Sequence, residues 1–191
     1  MTTDPSPHLF WLTSRAAGTA ALLLASIGVC VGLLMGGRFV RGRGVDLRAS
    51  HEALSLATLT AMVVHALALL GDKFLHPSVA DLTIPLVSGY KTLWTTTGIV
   101  AGWGLLLLGL SYYARRWIGV RRWRLMHRFT VLFWALGVVH SVGEGTDARS
   151  PWFLFLTAVA VVPPVALFIA RVGRPRGTPL PQFRSMIRSF E

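Results

Sequence analysis

The chain has 191 residues, of which 53% are hydrophobic and only 14% are charged. Soluble domains carry about a quarter charged residues, so this composition argues against a soluble single-core protein. The net charge is +11, but no groove-reading motif accompanies it, and we expect no nucleic-acid partner. The single cysteine, Cys30, excludes an intramolecular disulfide and a metal site made of cysteines alone.

Five apolar runs are long enough to be transmembrane helices, since a helix needs about 20 residues to cross a bilayer core of about 30 Å. Backbone polar groups find no water in hydrocarbon, so such runs must be helical. The sequence therefore predicts an all-α integral membrane protein, a bundle of five transmembrane helices in a multi-pass protein of the cell membrane. In chain order the runs cover about 11–35, 50–71, 93–114, 126–142 and 152–170.

The connections between these runs predict the orientation. Fifteen of the 19 basic residues fall on one side, in the loop after the first run, in the segment 115–128 and in the C-terminal tail. Short cytoplasmic loops collect arginine and lysine, so we expect the N-terminus outside and the C-terminus in the cytoplasm, with the basic clusters touching anionic membrane lipid. The predicted divisions are a short extracytoplasmic N-terminus (1–10), a membrane domain (11–172) and a basic cytoplasmic tail (173–191).

Four of the six histidines fall within or at the ends of the second and fourth runs. His51 and His65 are 14 residues apart, and His127 and His140 are 13 apart. Each interval is a rise of about 20 Å along a helix. Because both runs point the same way through the membrane, we expect His51 and His127 to pair near the inner surface and His65 and His140 near the outer one. Ionisable groups inside a membrane are costly and are candidates for function.

A haem iron bound by two imidazoles needs one histidine on each side of the ring at the same depth, so two pairs predict two haems. Fourteen residues return His65 nearly to the face of His51, whereas thirteen leave His140 about 140° short of the face of His127. The fourth run would need a tilt, a kink near Gly137 or a widened turn to present both histidines. The alternative is that all four are packing or interhelical hydrogen-bonding residues.

These two spaced pairs carry a resemblance to a known family. The first is HEALSLATLTAMVVH (51–65), followed by Gly-Asp-Lys at 71–73, and the second is MHRFTVLFWALGVVH (126–140), followed by Gly-Thr-Asp-Ala at 145–148. Over about residues 11–172 the chain resembles the ferric reductase-like transmembrane domain. Membrane ferric reductases, NADPH oxidases and the haem subunit of bacterial methionine sulfoxide reductase systems share this domain.

The resemblance implies two b-type haems, an inner one between His51 and His127 and an outer one between His65 and His140. It also implies that the chain relays electrons from a cytoplasmic flavoprotein or quinol to an extracytoplasmic acceptor. The acceptor would be ferric iron, oxygen or a partner redox protein, such as a flavin-binding or reductase protein. The sequence contains no dinucleotide-binding glycine motif. We therefore expect a separate donor and an oxidoreductase subunit without its own flavin or NADPH domain, which leaves open whether the chain alone is an enzyme.

Haem propionates need positive partners, and the planar guanidinium of arginine suits carboxylates. Arg15 departs from the positive-inside pattern, and we predict that it binds an outer-haem propionate; Arg48, Arg124 and Arg128 are the candidates for the inner one. Two other functions remain open. One is a transporter or proton path in which the histidines titrate. The other is a membrane anchor whose basic tail docks a soluble partner.

Overall fold

The computed structural model describes residues 8–37, 44–145 and 147–173. Helices make up 81% of these residues, and no strand occurs among them. The prediction of an all-α protein is therefore confirmed for the described part of the chain. Most of the predicted N-terminal segment (1–7), six residues of the first loop (38–43) and nearly all of the predicted tail (174–191) lie outside the described residues.

Five helical segments are long and apolar enough to cross a membrane, as predicted. They are α1, α2, α4, the consecutive pair α6 and α7, and α8. The helices are α1 (Leu9–Gly36), α2 (Gly44–Leu70), α3 (Val79–Thr83), α4 (Thr92–Leu110), α5 (Arg115–Ile118), α6 (Val120–His127), α7 (Thr130–Glu144) and α8 (Pro151–Val172).

The fourth span is longer than its apolar run. It covers Val120–Glu144, whereas the apolar run begins only near Met126, because α6 adds a helical turn and a half that is rich in arginine. Arginine is a good helix former, and its long side chain can carry the charge to the membrane surface while the backbone stays helical. A prediction from hydropathy alone therefore begins this span at about residue 126, whereas the helical span begins at Val120.

The spans pack as two antiparallel pairs, α1 with α2 and α4 with α7. Small residues let the helices of a pair approach closely: the position of a Cβ on Gly28 is 3.9 Å from Leu54 Cβ, and that on Gly137 is 3.9 Å from Ala101 Cβ. Helix α1 also contacts α7 and α8, and α4 contacts α2. In the described part of the chain, α2 and α7 are not a closely packed pair, so the histidines of α2 and of the fourth span belong to different helix pairs.

Few large side chains are fully buried in the bundle. Trp134 of α7 is one of them, with 5% of its surface exposed, and its indole Nε1 donates to Ser26 Oγ of α1 at 3.0 Å. Many large apolar side chains of the spans lie on the outside of the bundle. Such a surface suits lipid, whose acyl chains are as apolar as these side chains.

The charged groups separate to the two ends of the bundle. At one end, which we call the arginine-rich end, Arg171 of α8 lies against Gly36 of α1. At the opposite end, Arg15 forms an ion pair with Asp147. The described arginines of the arginine-rich end are Arg48, Arg115, Arg116, Arg121, Arg122, Arg124, Arg128 and Arg171.

Candidate functional site

The four histidines of the spans meet in two pairs between α2 and the α6–α7 segment. The ring centroids of His51 and His127 are 6.1 Å apart, and the ring planes make an angle of 87°. Those of His65 and His140 are 6.4 Å apart, with an angle of 73°. All four side chains are half-buried. The first pair lies toward the arginine-rich end and the second toward the opposite end.

These separations suit two imidazoles on opposite sides of one metal. With each ring nitrogen about 2.0 Å from the metal, the two ring centroids would be about 6.3 Å apart. A bare structural zinc takes four protein ligands, but no group of three or more histidine, cysteine or acidic side chains gathers in the described residues. Two imidazoles are instead what a protein supplies to a metal whose equatorial ligands come from a macrocycle.

Backbone carbonyls hold the Nδ1 atoms of three of the four imidazoles. Because a carbonyl only accepts hydrogen bonds, each of these Nδ1 atoms is the donor, and Nε2 is left free as a ligand. This second contact fixes the tautomer and the ring orientation of metal-binding histidines. The bonds run from His51 to Gly28 at 3.0 Å, from His65 to Ser14 at 2.8 Å and from His140 to Trp94 at 2.9 Å.

His127 is held differently. Its buried Nδ1 has no hydrogen-bond partner of acceptable geometry in the described residues, although the carbonyl of Leu108 lies nearby. The indole of Trp123 stacks on the imidazole, with centroids 5.0 Å apart and planes 26° from parallel. The orientation of this ring therefore depends on an aromatic contact.

Three of the imidazoles also lie against a glycine of the neighbouring helix. A Cβ at any of these glycines would come within 3.2 Å of the ring, closer than nearly all real Cβ contacts. The backbone must therefore approach the imidazole with no side chain between them. The distances are 2.9 Å from Gly18 to His65 Nδ1, 3.2 Å from Gly32 to His51 Cε1 and 2.5 Å from Gly98 to His140 Nδ1.

The carbonyls and glycines follow one register, which the sequence analysis missed. On α1 the two accepting carbonyls belong to residues 14 and 28, and a glycine follows each by four residues, at 18 and 32. On α4 the corresponding carbonyls are those of residues 94 and 108, with a glycine at 98 but a tyrosine at 112. The interval of 14 equals that between His51 and His65, and this match was the available signal.

The fourth span presents both of its histidines through a break directly after His127. The sequence left a tilt, a kink near Gly137 and a widened turn as alternatives. Gly137 lies inside helix α7, and the helical assignment is interrupted at residues 128 and 129. At the break, Phe129 N donates to Met126 O and Leu132 N to Phe129 O, both at 3.0 Å. These i→i−3 bonds overwind the chain by about 20° per residue relative to an α-helix. On a straight helix the face of His140 would be about 140° short of the face of His127. Overwinding reduces this angle, whereas a widened turn would increase it.

Arg15 lies at the level of the outer histidine pair. It follows Ser14, whose hydroxyl is 2.9 Å from His65 Nδ1. Its guanidinium pairs with Asp147, with 33% and 30% of the two side chains exposed, and lies 4.2 Å from the ring centroid of Trp11. The predicted contact with a propionate stays a prediction. Of the inner candidates, Arg124 and Arg128 line an open groove along α6.

No known protein family, characterised protein or solved structure matches the chain significantly. The functional interpretation therefore depends on the histidine geometry and on the sequence pattern.

Proposed function

We propose that the chain is a dihaem b-type membrane cytochrome of the ferric reductase-like kind, which relays electrons across the membrane. The observation that carries this proposal is the pair of imidazole contacts, at 6.1 and 6.4 Å, in which three of the four Nδ1 atoms are held by carbonyls. A packing role alone would not require two matched pairs at the separation of metal ligands.

In this proposal His51 and His127 bind the inner haem, and His65 and His140 bind the outer one. Bound haem supplies one-electron redox chemistry at each level. The carbonyls of residues 14, 28 and 94 accept the Nδ1 protons, which raises the basicity of the ligands and fixes their planes. Because two histidines would hold each iron, we propose that electrons would pass by outer-sphere transfer.

The proposed orientation places the arginine-rich end in the cytoplasm, with the N-terminus outside. The supporting observation is the gathering of the described arginines of α2, α5, α6 and α8 at one end of the bundle, which is typical of the cytoplasmic side. The proposed location is the cell membrane, and the proposed direction of electron flow is outward.

We propose that the donor is a separate cytoplasmic flavoprotein or a quinol. The motif expected of a dinucleotide-binding domain is a glycine-rich turn between a strand and a helix, and we assign that function to a partner protein. The proposed acceptor lies on the outer side and is ferric iron, oxygen or a partner redox protein. Arg15 is the proposed partner of an outer-haem propionate.

The relay is tested in liposomes that contain the purified protein and trapped ferricyanide, with dithionite added outside. We expect reduction of the trapped ferricyanide well above the rate of protein-free liposomes. Replacement of the outer ligand, as in His65→Ala, should return the rate to that background while the protein remains inserted. Equal rates with and without the wild-type protein would contradict the proposal, and proton flux through a colourless protein would support the transporter instead.

A further inference from the structure

The inner ligand His127 departs from the pattern that the other three ligands share. Each of the others has a carbonyl on Nδ1 and a glycine against the ring. At His127 the carbonyl of Leu108 lies near Nδ1 without forming a hydrogen bond of good geometry, and it accepts from the Ser111 hydroxyl at 2.6 Å. Tyr112 occupies the position at which the register of α4 would place the glycine. The last torsion of a histidine side chain is broad, so this ring needs another restraint.

Trp123 supplies a contact of the required kind. It lies one helical turn before His127 on α6, and its indole covers the imidazole face at 5.0 Å and 26°. The indole is itself held in place, since Nε1 donates to Ser111 Oγ at 3.1 Å. Its ring also meets that of Tyr112, with centroids 5.8 Å apart.

Tyr112 is held in place by Arg115. The guanidinium carbon of Arg115 lies 3.8 Å from the centroid of the Tyr112 ring, and Arg115 also donates to the carbonyl of residue 112 at 2.7 Å. The tyrosine that replaces the expected glycine is thus part of a continuous stack that ends on the inner ligand. Aromatic pairs of this kind have defined preferred geometries, so the stack restrains the plane of each ring in it.

We infer that Trp123 is the positioning residue of His127, and that it performs at the inner site what a carbonyl hydrogen bond performs at the other three ligands. The inference rests on the proposed function, because His127 is a haem ligand only if that function holds. It implies that the inner site depends on Trp123 and that the outer site does not.

The test compares Trp123→Ala with Trp123→Phe and with Trp117→Ala. Trp117 is the matched control, since it belongs to the same inner segment but is 91% exposed. The readouts are the haem-to-protein ratio and the reduced-minus-oxidised spectrum of the purified proteins. His51→Ala and His65→Ala provide the reference spectra of the protein without the inner and without the outer haem.

We expect Trp123→Ala to fall from two haems per chain to one and to give the spectrum of His51→Ala. Trp123→Phe, which retains an aromatic ring, and Trp117→Ala should keep both haems. Two haems and an unchanged spectrum in Trp123→Ala would overturn the inference, as would selective loss of the outer haem. A wild-type protein without haem would instead overturn the proposed function.

A milder variant covers the case in which Trp123→Ala does not fold. Tyr112→Leu removes the ring that meets the indole and keeps the Ser111 hydroxyl, which also donates to the Leu108 carbonyl at 2.6 Å. We expect the ferric low-spin resonance of the inner haem to shift while that of the outer haem stays in place. Two unchanged resonances in Tyr112→Leu, together with failure of Trp123→Phe to keep the inner haem, would overturn the inference.

Discussion

In both histidine pairs, backbone groups help to fix the orientation of the imidazole rings. Three imidazoles donate to main-chain carbonyls, and any residue type provides a carbonyl. The residue types that matter around them are therefore the glycines, which let the backbone come close enough to accept the bond. A larger side chain at such a position has to displace the imidazole or the helix.

Because these glycines lie so close to the imidazoles, we expect single methyl groups added there to have a selective effect. Gly98→Ala places a Cβ 2.5 Å from His140 Nδ1 and Gly18→Ala places one 2.9 Å from His65 Nδ1, so both variants should weaken the outer site. Loss of second contacts typically lowers metal affinity by about 10- to 100-fold, and we expect purified protein with close to one haem per chain.

The matched control for these variants is Gly102→Ala on the same helix as Gly98. There the added Cβ would meet only Met62 Cε, at an ordinary 3.6 Å, and both haems should remain. Equal haem loss in Gly102→Ala and Gly98→Ala would show that α4 is simply intolerant of alanine.

The ion pair of Arg15 with Asp147 allows the two roles of this arginine to be separated. If Arg15 serves a propionate, Arg15→Ala should lower the retention of the outer haem during purification, whereas Asp147→Ala should leave it near the wild-type level. The measurement is the haem-to-protein ratio after repeated washing in detergent. Equal retention in both variants and the wild type would remove Arg15 from the site.

At this scale the sequence identified the four histidines, because an imidazole in an apolar run is conspicuous. It did not identify the carbonyls, since every residue has one, or the role of Trp123, which hydropathy places among ordinary interface aromatics. The glycines of α1 were recognisable only once their 14-residue interval was compared with that of α2.

Among the helices, the fourth span has the most unusual construction. Its break at residues 128 and 129 lies between His127 and His140, and the i→i−3 bonds there reduce the angle between the faces of these two histidines. The sequence interval of 13 showed that a correction was needed. The sequence did not show where the helix is interrupted, because no proline or glycine marks the break. It also did not show that the chain is overwound there.

The register of α7 predicts the result of inserting one alanine after Leu136. The insertion rotates His140 by about 100° relative to the break, so it should remove the outer haem and leave the inner one. One alanine inserted after Ala160 of α8, which carries no ligand, should keep two haems per chain. Retention of both haems after the α7 insertion would contradict the ligand assignment of His140.

The short helix α3 provides a pH-dependent prediction outside the spans. Hydrogen bonds from the side chain and backbone of Ser78 lower the pKa of Asp81, and the two residues form a capping box. The contribution of Asp81 is therefore complete above the ordinary carboxyl pKa of about 3.9 and is lost as the pH falls through the lowered value.

We expect Asp81→Asn to speed amide hydrogen exchange in Val79–Thr83 at neutral pH, because it removes the carboxylate that accepts from the N-cap. The backbone amides of Glu144 and of α8 serve as internal references, and their hydrogen-exchange rates should not change. Identical exchange in α3 before and after the substitution would show that the cap is not formed in solution.

For the whole molecule, the decisive feature is the arrangement of two antiparallel helix pairs side by side. Helices α2 and α7 run in the same direction, so histidines separated by 14 and 13 residues meet at matching levels. Hydropathy predicted the five spans, because a bilayer imposes length and apolarity. It could not predict which helices pair, since lipid is as apolar as the side chains and the packing depends on small residues.

The central claim is that each imidazole pair binds one haem, and electron paramagnetic resonance of the oxidised, purified protein tests it most directly. The imidazole planes of the two pairs make angles of 87° and 73°, and histidines held in this way would give a low-spin ferric iron a strongly anisotropic signal. We therefore predict two strongly anisotropic low-spin ferric signals that integrate to two spins per chain, one of which disappears in His51→Ala and the other in His65→Ala. A protein without low-spin ferric signals, or with signals that survive replacement of these histidines, would contradict the account.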